Sequence, residues 1–367
     1  MKELKAKVTV VVGGMAGSEG KGKVAGYLAI HDDMTHAICN FMPNAGHTWR
    51  SGDKKVMVQT LPQAVVNPHT TLMISAGSAI EPELLENELK KYGGADRLII
   101  HPRAMVVTQE HRDKEKKSMV GISSTCKGCG EATVEKIRRG NAKCLAEDHE
   151  QLFSDYIIYQ ANWNIIMRML LADPNVRIMV EAPQGFDLDI NHGIQYPYCT
   201  SRQTTAAQAI ADAGIPCQAV TDVIAVIRPY PIRVGNVYDE ETGEMIGYSG
   251  DYAHSQELTW DEVGRRAGAP KGSFDGERTT VTNKIRRVFE PDFERLEDMC
   301  YINGVTGIAL MFADYIDWSI KGKNKPEDIT PKIQEFIDKV EEITDTPVVL
   351  VGTGADDKDM IDLRKIK

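Results

Sequence analysis

This chain has no excess of positive charge. Its 43 lysines and arginines face 53 aspartates and glutamates, a formal net charge of −10. That balance argues against gripping a nucleic-acid backbone over a broad surface, which takes a basic patch or stripe. A small anion can still be held by a local cluster of loop amides and arginines. Nor does any stretch approach the roughly 18 consecutive apolar residues of a membrane span. Cysteines are few, odd in number and scattered, seven in 367 residues. Without a secretory leader, this predicts reduced thiols and a cytoplasmic protein. Internal repeats and low-complexity linkers are missing too. The length and the 42% hydrophobic content support one large α/β domain or two smaller ones.

What is present is alternation. Apolar runs recur at 8–12, 71–75, 97–101, 176–181, 220–227, 304–311 and 347–351. Amphipathic stretches of helical spacing lie between them, at 83–92, 155–171, 204–213 and 331–343. This order predicts an α/β fold, a large mostly parallel sheet flanked by helices. Polar stretches at 235–255 and 265–282 are expected to be insertions or active-site loops.

The segment Val8-Thr-Val-Val-Val-Gly-Gly-Met-Ala-Gly-Ser-Glu-Gly-Lys-Gly-Lys23 reads as strand, phosphate-cradling loop and helix. Its glycines let backbone N–H groups turn toward an anion, and the helix N-terminus adds partial positive charge. Either Lys21 or Lys23 can supply a full charge. The loop is not a Walker A motif: Met15 stands at the first glycine position, and Gly22 follows Lys21 where Ser or Thr belongs.

Other motifs follow in order. Asn44-Ala-Gly-His-Thr48 places a histidine in a small-residue loop, where it can act as general acid near phosphate. Ser123-Ser-Thr-Cys-Lys-Gly-Cys-Gly130 is rich in hydroxyls and contains a Cys-x-x-Cys. No second Cys/His pair lies at ligand spacing, so phosphate suits this loop better than zinc. Lys136-Ile-Arg-Arg139 follows on a predicted helix. Gln184, just past an apolar strand, can read a base edge through its amide, as ligands bind at strand carboxyl ends. Asp187 and Asp189 read as capping and turn residues. Thr279-Thr-Val-Thr-Asn-Lys-Ile-Arg-Arg287 gathers hydroxyls and cations suited to a carboxylate or phosphate. Val349-Leu-Val-Gly-Thr-Gly354 is a strand ending in small residues, a platform for a base or ribose.

In this order the motifs resemble those of the adenylosuccinate synthetase family, from Val8 to about Arg364. The first loop is similar to that family's Gly-Asp-Glu-Gly-Lys-Gly-Lys, and Asn-Ala-Gly-His-Thr is identical to its second motif. The resemblance implies a P-loop-NTPase-like adenylosuccinate synthetase fold, one domain over residues 1–367 with inserted active-site loops, and a Mg2+-dependent homodimer. It implies a ligase in which a nucleoside triphosphate phosphorylates a purine 6-oxo group, which aspartate's amine then displaces. Ser18 and His47 would stand at the catalytic positions, with Ser18 and the Gly46 carbonyl toward Mg2+. Ser18, Glu19, Gly20, Lys21, Gly22, Gly46, His47, Thr48, Arg286, Gly352, Thr353 and Gly354 would hold the triphosphate. Ser18, Asn44, Thr125, Gln184, Thr200 and Lys284 would hold the monophosphate, joined by Arg138 or Arg139 across a dimer interface. Thr280, Val281, Thr282, Lys284 and Arg286 would hold L-aspartate.

Three departures redirect this expectation. Ser18 replaces the family's catalytic aspartate; serine is a poor base at neutral pH, yet a smaller side chain leaves room for a 2-amino group, as in guanine. Gly307 and Ala309 replace the lysine and aspartate of a Leu-Thr-Lys-Leu-Asp pattern whose acid reads guanine in GTP, which predicts ATP or dATP as donor. Lys284 replaces an arginine near the ribose. The combination is similar to the bacteriophage-type branch of the family, implying dGMP as acceptor, a product on the way to 2-aminoadenine DNA, and host-cell cytoplasm as location. The alternatives are a conventional synthetase acting on IMP and a catalytically silent nucleotide-binding homologue.

Overall fold

A computed structural model describes residues 4–140, 142–156, 160–239, 241–252, 254–279 and 284–365. Its centre is a nine-stranded sheet. In chain order the strands are β1 (Lys7–Gly13), β2 (His36–Cys39), β3 (Thr71–Ile74), β4 (Leu98–Ile100), β5 (Arg177–Glu181), β6 (Val220–Ile227), β7 (Gly307–Leu310), β8 (Val348–Gly352) and β9 (Met360–Asp362). They line up as β9-β8-β7-β6-β1-β5-β2-β3-β4. Every pairing is parallel except that of β8 with β9. The expected α/β class and mostly parallel sheet are both found.

The central strand β1 is buried along six of its seven residues. A strand covered on both faces reads as a continuous apolar run, and Val8–Val12 is one. One face packs against the helices Gln160–Leu171, Ala206–Ala213, Phe293–Asn303 and Pro331–Thr344, with Trp163, Ile210, Met299 and Ile337 in its core. The other packs against α1 (Lys21–His31), α2 (Pro82–Tyr92) and the hairpin of His47–Ser51 with Lys54–Val58, through Leu28, Trp49, Val58 and Leu85.

Two smaller helices, α3 (Gln109–Ser118) and α4 (Cys129–Arg138), pack against each other beside the sheet. The polar stretch at 235–255 contains a short hairpin, Val237–Tyr238 with Met245–Gly247. Of the stretch at 265–282, residues 265–267 close the helix Trp260–Ala267 and residues 273–279 lie on the cleft wall.

Candidate active site

A cleft of about 630 Å3 opens where β1, β6 and β7 end. It brings together Ser18, Gly20, Lys21, Gly22, Asn44, Gly46, His47, Thr48, Thr125, Gln184, Arg286 and Gly354, distributed over more than 330 positions of sequence.

The first loop is shaped from within. Glu19 is fully buried, and its Oε1 accepts from the amides of Met15 at 3.2 Å and Gly17 at 2.7 Å. Its Oε2 accepts from Lys21 Nζ at 2.8 Å. The Glu19 side chain therefore lies behind the loop, which leaves its backbone as the part of this residue that can meet a triphosphate. Gly20 sits at φ 97°, which lets α1 start with its amides facing the cleft. Gly22 explains the departure from Walker A: a Cβ there would lie 2.5 Å from the Thr48 amide nitrogen. Hairpin and helix approach too closely for a side chain.

The two lysines divide the work. Both line the cleft, and Lys21 Nζ is held by Glu19 within the first loop. Lys23 is mostly buried, and its Nζ donates to the carbonyls of Gly354 at 2.8 Å and Asp359 at 2.6 Å. It ties the loop after β8 to α1.

Ser18 is exposed on the cleft wall with φ 57°. Its carbonyl accepts from Arg228 Nη1 at 3.1 Å. Arg228 is fully buried, is paired with Glu277, and lies 4.3 Å from the centre of the Phe312 ring. Glu277 also accepts from the Tyr315 hydroxyl at 2.9 Å. One arginine thus joins the first loop, the Glu277 loop and the aromatic wall after β7.

His47 is 6% exposed, lies on the cleft wall and stacks on Phe41. Burial, reinforced by the Lys21 ammonium, lowers its pKa to about 3, so the free protein presents neutral imidazole. Gln184 Nε2 donates to Asn44 Oδ1 at 3.0 Å, coupling the end of β5 to the second motif.

The Thr125 loop is braced by Glu115 of α3, whose carboxylate accepts from the amides of Gly128 and Gly130, both at 2.6 Å. The N-terminus of α4 is therefore occupied by protein, and Thr125 alone of this motif lines the cleft. Burial raises the Cys129 thiol pKa far above its usual range. Among the described residues no three His, Cys, Asp or Glu gather in a group that could hold a metal ion. Asp189 does the expected turn work, accepting from the amides of Asn191 and His192; Asp187 does not act as a cap, for it accepts from the distant Tyr252 hydroxyl at 2.6 Å and pairs with Arg295 at 3.0 Å.

Several expected residues lie off the cleft wall. Gly352 packs under Met311, and Thr353 is buried with its hydroxyl on the Lys323 carbonyl, so of that motif Gly354 reaches the cleft. Thr200, Lys284, Arg138 and Arg139 do not line it either. The two arginines are exposed at the end of α4, around a second hollow. Thr280, Val281 and Thr282 fall outside the described residues. Conversely, Glu277, Phe312, Asp314, Tyr315, Trp318 and Lys321 line the cleft without having belonged to any motif.

The fold and this convergence meet an independent comparison. The family model described as adenylosuccinate synthetase matches residues 10–164 and 146–319. The chain belongs to the adenylosuccinate synthetase family. As a member, it is a ligase that forms a carbon–nitrogen bond. It is 34% identical over 328 residues to the N6-succino-2-amino-2'-deoxyadenylate synthase of Salmonella phage PMBT28, covering 85% of this chain and 86% of that one. It is 33% identical over 365 residues to the adenylosuccinate synthetase of Methanocaldococcus jannaschii, covering 97% and 96%. The structure superposes on the succinoaminodeoxyadenylate synthetase of cyanophage S-2L, solved with dGMP and with dATP as an energy donor. The TM-score is 0.82 at 29% identity, covering 98% of this chain and 95% of that one. Adenylosuccinate synthetase from Plasmodium falciparum shares the fold, with a TM-score of 0.78 at 20% identity. Both kinds of family member are equally close in sequence, so the choice of substrate rests on residues in the cleft.

The cleft's residues fit the Mg2+ ion that the family implies. Ser18 and Gly46 both line it and can offer a hydroxyl and a carbonyl oxygen. Mg2+ keeps several waters and takes its remaining ligands largely from phosphates, so a sparse oxygen set suffices.

Proposed function

We propose that this protein joins L-aspartate to C6 of dGMP, consuming ATP or dATP, to give 2-amino-2'-deoxy-N6-succinyl-adenylate for DNA that contains 2-aminoadenine. The observation that carries the reading is Ser18, exposed on the cleft wall where the family has a carboxylate. A hydroxyl there leaves space for the guanine 2-amino group. The cyanophage S-2L protein, solved with dGMP and dATP, supports the same pairing. The whole chain acts as one unit, 1–367, in a homodimer to which Arg138 or Arg139 contributes across the interface, in a host cell's cytoplasm.

In the first step the guanine O6 attacks the γ-phosphorus. An O6–P bond forms, the bond to the β-phosphate oxygen breaks, and the N1 proton leaves to water or to the phosphate oxygens. Lys21 and the amides at the start of α1 hold the triphosphate, offsetting its charge in a poorly solvated cleft. Mg2+ held by phosphate oxygens with Ser18 and Gly46 would neutralise part of that charge. The neutral His47 gains a proton when a phosphate dianion arrives beside it, and then donates a hydrogen bond to the group in transfer. In the second step aspartate's amine attacks C6, the C6–O6 bond breaks, and phosphate leaves as the amine loses a proton. Arg286, buried on the cleft wall, presents a planar fork to the aspartate carboxylate. Asn44, Gln184 and Thr125 position the monophosphate.

The test is steady-state phosphate release with aspartate, Mg2+ and each pairing of dGMP or IMP with ATP or GTP. Turnover is expected with dGMP and ATP. Turnover of IMP and none of dGMP overturns the reading, and no release with any pair identifies a silent homologue.

A further inference from the structure

The loop between β8 and β9 presents Gly354 to the cleft, and Lys23 holds it near both ends through the Gly354 and Asp359 carbonyls. Its middle is fastened to a different element, the hairpin that begins with His47. The Asp357 amide donates to the Arg50 carbonyl at 2.7 Å, and Asp356 accepts from the Gly52 amide at 2.7 Å. The Asp357 side chain reaches further in and is 9% exposed. Its Oδ1 accepts from Trp49 Nε1 at 2.7 Å, and its Oδ2 lies 2.9 Å from Nε2 of His31 at the end of α1. This carboxylate lies off the cleft wall and is used by neither proposed step. A carboxylate withdrawn from water is held by the hydrogen bonds it accepts, and these join the loop, the hairpin and α1.

Trp49 carries the consequence to His47. Successive side chains of a strand point to opposite faces, so residues 47 and 49 share one. Both are buried, and Thr48 between them is less so. His47 lies on Phe41, while Trp49 lies on α1, where a Cβ on Gly26 would collide with the indole. Gly26 is one helical turn beyond Gly22, the residue that meets Thr48. The strand therefore runs along a bare strip of α1 made by two glycines. Such a strip permits close approach but has no side chain to stop the strand from sliding. The indole N–H on Asp357 is directional, and it fixes the ring and with it the inner end of the hairpin.

We infer that Asp357 is a positioning residue, holding Trp49 and through it His47, so that the Gly354 loop and the histidine are set as one unit. The inference rests on the reading of His47 as hydrogen-bond donor to the group in transfer. Misplacing such a group slows the chemical step without removing the binding contacts. The backbone bonds of residues 356 and 357 to the hairpin do not depend on the Asp357 side chain, so its removal loosens the inner end while the outer end stays attached.

The experiment compares D357A, D357N and W49F in the full-length protein, with D357A also placed in an H47A background. Asparagine keeps a carbonyl for the indole N–H and turns an amide toward His31, so D357N is the conservative rescue. Phenylalanine keeps a ring on Gly26 but has no N–H to give. The first readout is magnetic resonance of the protein alone, with labelled histidine rings, the His47 signals being assigned by their loss in H47A. Those signals are expected to move in D357A and W49F, as the ring shifts over Phe41, and to stay at wild-type positions in D357N. The second readout is kinetic, with whichever of dGMP or IMP turns over. D357A and W49F are each expected to lower kcat ~10-fold while the donor KM stays within about threefold, and D357N to resemble wild type. In the H47A background D357A should lower kcat less than about twofold further, because residues that act through one another do not add. Unmoved His47 signals in D357A and W49F overturn the inference, as does an unchanged kcat in an active enzyme. The same ~10-fold loss from D357A with His47 already removed overturns it too, by making the role merely structural. Because the signals need no substrate, a protein that turns over neither acceptor sinks the proposed reaction while they still decide whether Asp357 places His47.

Discussion

The imidazole of His47 lies flat against the ring of Phe41, with centroids 3.8 Å apart and planes 7° apart. This stack buries the histidine and helps hold its pKa near 3, against 6.5 for the free side chain. Between those values the unfolded chain binds a proton that the folded chain refuses. The contribution to stability is therefore complete above pH 6.5 and is lost as pH falls toward 3. The urea midpoint of wild type is expected to drop more steeply than that of H47Q on acidification from about pH 7.5 to about 5. In catalysis, H47A should lower kcat by ~10²–10⁴ with little change in the KM for dGMP, the pattern of a proton donor used in the transition state. A normal kcat would remove His47 from the mechanism.

Lys21 and Lys23 separate by what they touch. K21M removes the ammonium proposed to face the triphosphate and should lower kcat/KM for the donor at least ~10²-fold, and because it leaves the fully buried Glu19 carboxylate without its ion pair the melting temperature should fall as well. K23M leaves the Gly354 and Asp359 carbonyls without their donor. It should cost ~1–3 kcal/mol of stability and raise the donor KM more than it lowers kcat. Donor kinetics on both variants, beside their denaturation curves, check the contrast, and interchangeable kinetics would refute the division.

How far the sequence reached depends on whether a signal is local. The run at 220–227 matches β6 end to end, and its last five residues, 223–227, are the continuous apolar stretch of a strand covered on both faces. The run at 304–311 shortens to Gly307–Leu310, since Gly304 is the left-handed cap of the helix Phe293–Asn303. The strand His36–Cys39 was not anticipated: it begins on a histidine and holds one β-branched residue, a weaker strand signal than Thr71–Ile74 or Leu98–Ile100. In the site, compact motifs such as the glycine-rich 17–23 and Asn44-Ala-Gly-His-Thr48 declared themselves. Arg228 and Glu277 did not, because an isolated charged residue gains its role only when folding brings separate loops together. Glu19 is the opposite case. It lies inside the phosphate motif, yet its carboxylate serves the loop's own amides.

The close approach of Gly22 to Thr48 gives a test of the fold. G22S restores the residue type of a Walker A loop but places a Cβ 2.5 Å from the Thr48 amide. The hairpin must move, at about 1–3 kcal/mol for an overpacked contact. Since Thr48 adjoins His47, kcat should fall along with the urea midpoint. Wild-type stability and turnover in G22S would mean that the packing of α1 against the hairpin is looser than described.

Ser18 is the residue proposed to choose the acceptor. It adopts φ 57°, a conformation that aspartate tolerates better than most side chains, so S18D should fold. The contact of its carbonyl with Arg228 is made by the backbone and survives the substitution. What changes is the side chain facing the purine: a larger carboxylate fills the space left for a 2-amino group and offers hypoxanthine the acceptor for its N1 proton. Relative to wild type, kcat/KM with dGMP is expected to fall at least ~10-fold further than kcat/KM with IMP, within the range a single pocket contact can discriminate. The measurement is a matched pair of initial-rate series at fixed donor and aspartate. If S18D affects both acceptors equally, the side chain at this position does not select the base, and the selection must come from elsewhere on the monophosphate wall.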